Sequence, residues 1–164
     1  MSDASSAAKK SSDINRFLAF SLEEENFAIP LLSVKEVIAM PEVTSIPYTP
    51  PHFLGIMNLR GQVISVIDLR LKFNMKATSN SETAVIICDL APLCLGIVVD
   101  SVNSVLSLST EDIAPRPEVE SNKKTDYIMG VTRQDKKLVL LLDLAKTLNV
   151  EDHTAIKQGQ KQSA

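Results

Sequence analysis

Tryptophan is missing from this chain, and aromatic residues of every kind make up only 4% of its 164 residues. A core built from such a composition is aliphatic. The exposed stacking platforms that small β-barrel modules use to hold single-stranded nucleic acid are lacking too. Basic charge is also short, with a formal net charge of −3, which argues against a sequence-independent grip on phosphate backbones. The five glycines, Gly55, Gly61, Gly96, Gly130 and Gly159, are too scattered for a phosphate-cradling loop. Only two cysteines occur, Cys88 and Cys94, both in apolar surroundings. They are expected to be reduced and buried rather than bridged. Neither His52 nor His153 stands at ligand spacing from them, so no metal site is expected. No apolar run approaches the ~18 residues of a membrane span. Met1 to Ser12 has no apolar core of a signal peptide. The expectation is a cytoplasmic protein with no direct membrane insertion.

Reaction chemistry is equally thin. Acidic residues are plentiful, but no pair carries an active-site motif, and Ser65 lacks the glycines of a nucleophile elbow. Asp100, after Val98-Val99, reads as a turn or helix cap. No cofactor and no catalytic residue are predicted, hence no enzyme.

What is present is a series of short apolar segments bounded by Pro, Asn, Asp, Ser or Gly. Phe17-Leu22, Phe27-Ile29, Val43-Ile46, Ile56-Leu59, Val63-Ile67, Ala84-Leu90, Leu93-Val99, Val105-Leu108, Tyr127-Val131 and Leu138-Leu142 are mostly strand-length, the pattern of a mainly β sandwich or barrel. Short helical turns are predicted at Leu31-Val37, Asp68-Phe73, Ser101-Val105 and Asp143-Leu148. Pro41 to Pro51 is expected to be an extended connector. The polar residues 1–14 and 151–164 are predicted to be disordered tails. Together with Met1, they lead to the expectation of a free-standing chain.

The centre of the chain is Phe53 to Phe73. Two apolar runs flank Asn58-Leu59-Arg60-Gly61, where Gly61 can take the positive φ of a tight turn. Val63 to Ile67 is almost continuously β-branched, as expected of a strand covered on both faces. Asp68 is placed to cap a short helical turn at Leu69. Arg60 stands at the corner. A lone loop arginine ordinarily does no more than solvate its turn.

The chain also repeats itself. Gly55 falls on Gly130 and Asp68 on Asp143, both 75 residues further on. Phe17-Leu22 falls on Val85-Leu90, and Ser33-Ile38 on Ser101-Leu106, both 68 residues on. Two similar β subdomains are therefore predicted, at about 15–78 and about 82–150, joined through Lys76-Ser81. Each half has about 65–70 ordered residues, marginal for an independent core, so the halves should share apolar surface. Where the first copy has Lys35-Glu36 and Asn58-Leu59-Arg60-Gly61, the second has Asn103-Ser104 and Arg133-Gln134-Asp135-Lys136. Residues that differ between copies of one fold are not demanded by it, which moves Glu36 and Arg60 toward function.

The segment Gly55-Ile56-Met57-Asn58-Leu59-Arg60-Gly61-Gln62-Val63-Ile64-Ser65-Val66-Ile67-Asp68-Leu69-Arg70 closely resembles the signature of the CheW family of bacterial chemotaxis coupling proteins. The likeness extends through Phe17-Leu22, Val34-Ile38, Val43-Pro47 and Gly96-Val102, from about Arg16 to Val150. Ser65 departs from the family's usual proline. Leu90-Ala91-Pro92-Leu93-Cys94 replaces its commoner polar, glycine-containing hairpin. The resemblance implies a mainly β fold of two SH3-like five-stranded β-barrel subdomains with short helices. It implies no enzyme activity, and a role coupling the cytoplasmic tips of chemoreceptors to the regulatory domain of the histidine kinase CheA in membrane-associated arrays. Carried onto this chain, Val34, Glu36, Asn58, Arg60 and Gly61 would face the receptor, with a Glu36–Arg60 ion pair orienting the corner. Ile38, Met40 and Val43 would pack on the kinase, although Ile38 and Val43 read equally well as core. Two alternatives are a coupling protein of a pilus-type chemosensory system and, from another class, a small β-barrel nucleic-acid module.

Overall fold

The computed structural model describes residues 14–78, 80–90, 93–115, 127–148, 152 and 155–157. Among them run ten strands: β1 (Ile14–Leu22), β2 (Glu25–Pro30), β3 (Val34–Ala39), β4 (Phe53–Leu59), β5 (Gln62–Asp68), β6 (Ala84–Leu90), β7 (Leu93–Val99), β8 (Ser101–Ser109), β9 (Ile128–Gln134) and β10 (Lys137–Leu142). Short helices at Leu69–Lys72 and Leu144–Thr147 follow β5 and β10. Asp68 caps the first, its side chain accepting from the Arg70 N–H, and Asp143 caps the second in the same way through the Lys146 N–H. Leu31–Ser33 forms only a brief 3-10 turn, and Val34–Ala39 and Ser101–Ser109 are strands, not the helical turns predicted there. Val34, Val37 and Ile38, and likewise Val102, Val105 and Leu106, stand at helical spacing, but pairing with β6 and β1 overrides that local pattern.

The strands form two five-stranded sheets with orders β8-β1-β2-β10-β9 and β3-β6-β7-β5-β4. The two orders are the same topology, with β1, β2, β8, β9 and β10 standing where β6, β7, β3, β4 and β5 stand in the other. The repeat read from sequence is thus a structural repeat. The predicted division at about 78 and 82 is not. Each sheet takes its first two repeat strands from one copy and its last three from the other, and parallel pairing of β10 with β2 and of β5 with β7 joins them. Equivalent strands have equivalent hydrophobic patterns, so the pattern is satisfied by either partner. Lys76-Ser81 accordingly connects strands of one sheet.

Each ladder is open between its outer strands, and an isolated bridge ties the connecting segment to one of them, β4 in one sheet and β9 in the other. Thr44 and Ile56 exchange N–H···O bonds of 2.8 and 2.8 Å, and Ala114 and Val131 exchange bonds of 2.8 and 2.9 Å. Gly55 adjoins the first bridge at φ +143, where a Cβ would stand 1.9 Å from the Thr44 carbonyl oxygen. At the equivalent Gly130 it would stand 2.6 Å from Ile113. The matched glycines are where the connecting segment passes against the sheet.

Among the described residues, three apolar clusters form the core. Phe17, Ala19, Ala28, Leu108, Val139 and Leu141 fill the first barrel; Met57, Ile64, Val66, Val85, Ile87, Cys94 and Val98 fill the second. The largest lies between the sheets and draws on both, with Leu18, Phe20, Phe27 and Leu142 meeting Phe53, Ile67, Ile86 and Ile97. The halves share apolar surface, and strands β1 and β5 are covered on both faces.

The expectation for residues 1–13 lies outside the described residues. At the other end the structure departs from the predicted tail: residues 152 and 155–157 are helical, Asp152 is buried, and Ala155 and Ile156 join the central cluster.

Candidate functional site: the hairpin corner

Strands β4 and β5 meet through the two-residue loop Arg60-Gly61, between the paired Leu59 and Gln62. Arg60 has φ +53 and Gly61 φ +86, the two positive values of the mirror-image turn that suits strand twist. The Asn58 side-chain oxygen accepts from the Gly61 N–H at 2.9 Å and fixes the turn. Arg60 then projects with 74% of its side-chain surface exposed. Glu36, on β3 at the opposite edge of the same sheet, accepts two hydrogen bonds from the guanidinium at 2.8 and 3.0 Å. The bidentate fork holds two long side chains in one plane. Hydrogen bonding from Arg60 to Glu36, and then the carboxylate's charge, hold the guanidinium above its ordinary pKa. Behind the pair, Leu59, Ile64, Ile87 and Cys94 line a cleft of about 210 Å³.

The equivalent corner of the first sheet has the same backbone, with Asp135 at φ +48 and Lys136 at φ +68. Its cleft is lined by the counterpart residues Asn103, Ser104, Gln134, Asp135, Lys137 and Val139, and Ser104, which stands where Glu36 stands in the other copy, cannot form an ion pair. The fold makes the corner twice, and only the β4–β5 corner carries a Glu–Arg pair across it.

Of the predicted receptor-facing residues, Glu36, Asn58, Arg60 and Gly61 come together. Val34 does not join them. A register shift between Val34 and Glu36 turns Val34 toward the central cluster, whereas Ile38 packs against the cluster of its own barrel. Ile38 and Val43 are half-buried on that cluster, with Leu54 and Leu59. Met40, 39% exposed, and Val37, 41% exposed, present the free apolar surface of this edge.

Two charged clusters escaped the sequence reading. Arg70 is buried, donating from Nε and Nη2 to Asp68 at 3.0 and 2.9 Å, and from Nη1 to Asp100 at 2.7 Å and the Thr78 carbonyl at 2.6 Å. Burial disfavours its charge, but the bonds to the two carboxylates outweigh it and hold the pKa above its ordinary value. Asp100 stands at the bend between β7 and β8, in keeping with the turn and not the helix cap among its two readings, and is in addition an ion-pair partner that accepts from the Glu23 N–H. The second cluster joins Asp152 to His52 and Lys72. Partners 30 and 80 residues apart leave no mark in a sequence. The one available signal was that Arg70 and Lys72 are not repeated at the equivalent Ala145 and Thr147.

Cys88 and Cys94 are free and buried, and burial, with Cys94 nearby, pushes the Cys88 thiol up to about 12. Among the described residues no helix is long and apolar enough to cross a membrane, and no three His, Cys, Asp or Glu residues gather as metal ligands.

Comparison with known proteins is consistent throughout. The model of the CheW-like domain matches residues 16–152. The chain is 39% identical over 146 residues to a chemotaxis protein CheW of Klebsiella aerogenes, covering 88% of each chain. It is 31% identical to that of Helicobacter pylori, again over 88% of each. The crystal structure of the scaffolding protein TtCheW from Thermoanaerobacter tengcongensis superposes with a TM-score of 0.76 at 30% identity, covering 84% of this chain and 90% of that one.

Proposed function

Since the chain belongs to the CheW family of chemotaxis proteins, we propose that it is a non-catalytic adaptor coupling the cytoplasmic tips of chemoreceptors to the histidine kinase CheA. The observation that carries this reading is the charged corner. An exposed, bidentate Glu36–Arg60 pair is present in one hairpin and absent from its structural twin. A feature the fold can do without, held rigidly at a protruding turn, supports a role in recognition. Glu36, Asn58, Arg60 and Gly61 form the receptor-facing surface, with Val34 behind them as support through the central cluster. Ile38, Met40 and Val43, on the edge of the same barrel, meet the kinase's regulatory domain, Met40 supplying most of the exposed apolar area. An apolar patch beside a charged rim suits an assembly that forms reversibly. The protein works in the cytoplasm and reaches the membrane by recruitment to receptor arrays.

The test is a pull-down with purified CheA, with and without receptor fragments carrying the cytoplasmic tip. Binding to each partner separately, and a ternary complex when both are present, is the expected result. Failure to retain either partner overturns the adaptor role.

A further inference from the structure

The β4–β5 hairpin has charged groups at both ends. At its feet, His52 immediately precedes β4 and Lys72 ends the helix that follows β5. The feet are tied to each other by the Asp68 N–H, which donates to the His52 carbonyl at 2.8 Å. Both side chains converge on Asp152: Lys72 Nζ donates to Oδ2 at 2.6 Å, and His52 Nε2 pairs with Oδ1. His52 and Lys72 are each 13% exposed and the Asp152 carboxylate is 0% exposed. Three residues on, Ala155 and Ile156 are buried in the central cluster, while Lys157 is exposed.

The twin hairpin shows that the fold does not require this arrangement. There the Asp143 N–H donates to the Tyr127 carbonyl at 2.7 Å, reproducing the backbone tie. The positions matching His52 and Lys72 hold Tyr127 and Thr147, and Tyr127 stacks on Phe73 instead. The ion-paired feet and the Glu36–Arg60 pair at the tip thus occur on the same hairpin, and the residues that make them are not repeated on the other.

We propose that Asp152 and the helical residues 155–157 form a strap that staples the feet of the β4–β5 hairpin, and that docking of this strap sets the geometry of the Glu36–Arg60 corner at its tip. Feet and tip are separated by a seven-residue strand, about 20 Å of continuous ladder. The ladder between them is paired from Phe53 to Leu59, so a change in how firmly its base is held reaches its tip through continuous contacts. Anchorage through few apolar side chains and one buried carboxylate makes docking reversible, because a buried ion pair fixes geometry more than it adds stability. The bearing of the strap on receptor binding rests on the adaptor role proposed above; its bearing on the corner does not.

The experiment uses the full chain with Asp152→Asn, and His52→Ala as a milder variant in case the first does not fold. Lys157→Ala serves as the surface control. Hydrogen exchange read by mass spectrometry follows the segments, and the Gly61 amide resonance reports the corner. Exchange over 52–72 is expected to rise about tenfold in both variants, with β1 and β8 still protected and the Gly61 amide shifted. Equal acceleration in both sheets would show Asp152 adding only global stability, and overturns the proposal. Loosened feet with an unmoved Gly61 amide overturns it as well. No partner enters these measurements, so they stand or fail separately from the adaptor role.

Discussion

Glu36, on the outer strand β3, and Arg60, in the turn that follows the other outer strand β4, are joined by paired hydrogen bonds of 2.8 and 3.0 Å across the side of the sheet that the ladder leaves open. Because the guanidinium stands in water, its removal changes recognition more than stability. Arg60→Ala is expected to keep the denaturation midpoint of the parent while receptor affinity falls about tenfold. The exchanged pair, Glu36→Arg with Arg60→Glu, restores the contact but not the binding. Co-sedimentation with receptor fragments, beside a urea titration, checks both. Undiminished receptor binding by Arg60→Ala would remove this residue from the interface.

The glycines of this hairpin differ sharply in what they tolerate. Gly61→Ala meets nothing within 4 Å, and is expected to lower stability by only about 1 kcal/mol, through its positive φ. Gly55→Ala drives a methyl group into the Thr44 carbonyl, 1.9 Å away, and should cost more than ~4 kcal/mol or prevent folding. Chemical denaturation of the two variants reads the contrast directly.

Removing Arg70 leaves the Asp68 and Asp100 carboxylates without their cation. Arg70→Ala is expected to destabilise by about 3–5 kcal/mol. Arg70→Lys recovers part of this, since an ammonium cannot reach Asp68, Asp100 and the Thr78 carbonyl with one planar fork. Thermal unfolding of both variants provides the measurement.

On the apolar edge, Met40→Asp is a cleaner probe of the kinase contact than Val43→Asp. Met40 is 39% exposed, whereas Val43 packs against the barrel cluster and a carboxylate there also disturbs the core. Met40→Asp should weaken CheA capture about tenfold while receptor binding holds. Equal loss of both partners would place the kinase surface elsewhere.

Cys88 has a folded-state pKa raised from 9.0 to about 12 by burial. The unfolded chain gives up this proton first, so the thiol's contribution is complete below pH 9 and is lost as pH rises toward 12. Thiol reagents should label Cys88 at pH 9 only as fast as the protein opens. Labelling at the rate of a free thiol would contradict its burial.

The outline of this fold was legible because local signals carry it. The β-branched run at Val63–Ile67 became the doubly covered β5, Asp68 became the cap of its helix, and the match of Gly55 to Gly130 marked equivalent close approaches of a connecting segment to the sheet. The corner was legible too, as a difference between two copies otherwise alike. Strand partnership was not. β1 pairs with its neighbour β2 on one side but with the distant β8 on the other, and nothing in an apolar pattern says which of two equivalent sheets a strand enters. The pairing of Asp100 with Arg70 and the burial of Ile156 were hidden for a related reason: each depends on contacts between distant segments, and Ala155-Ile156 is a short apolar pair in an otherwise polar stretch.

The path of the chain has a mechanical consequence. One barrel's strands all fall between residues 34 and 99, while the other's lie on either side of that interval, as in a domain inserted into its host. Tension applied through the two ends loads the outer barrel first and spares the inner one until the outer has given way. A cut between residues 78 and 82 leaves two fragments, neither holding a whole barrel, whereas excision at 34 and 99 releases one complete set of strands.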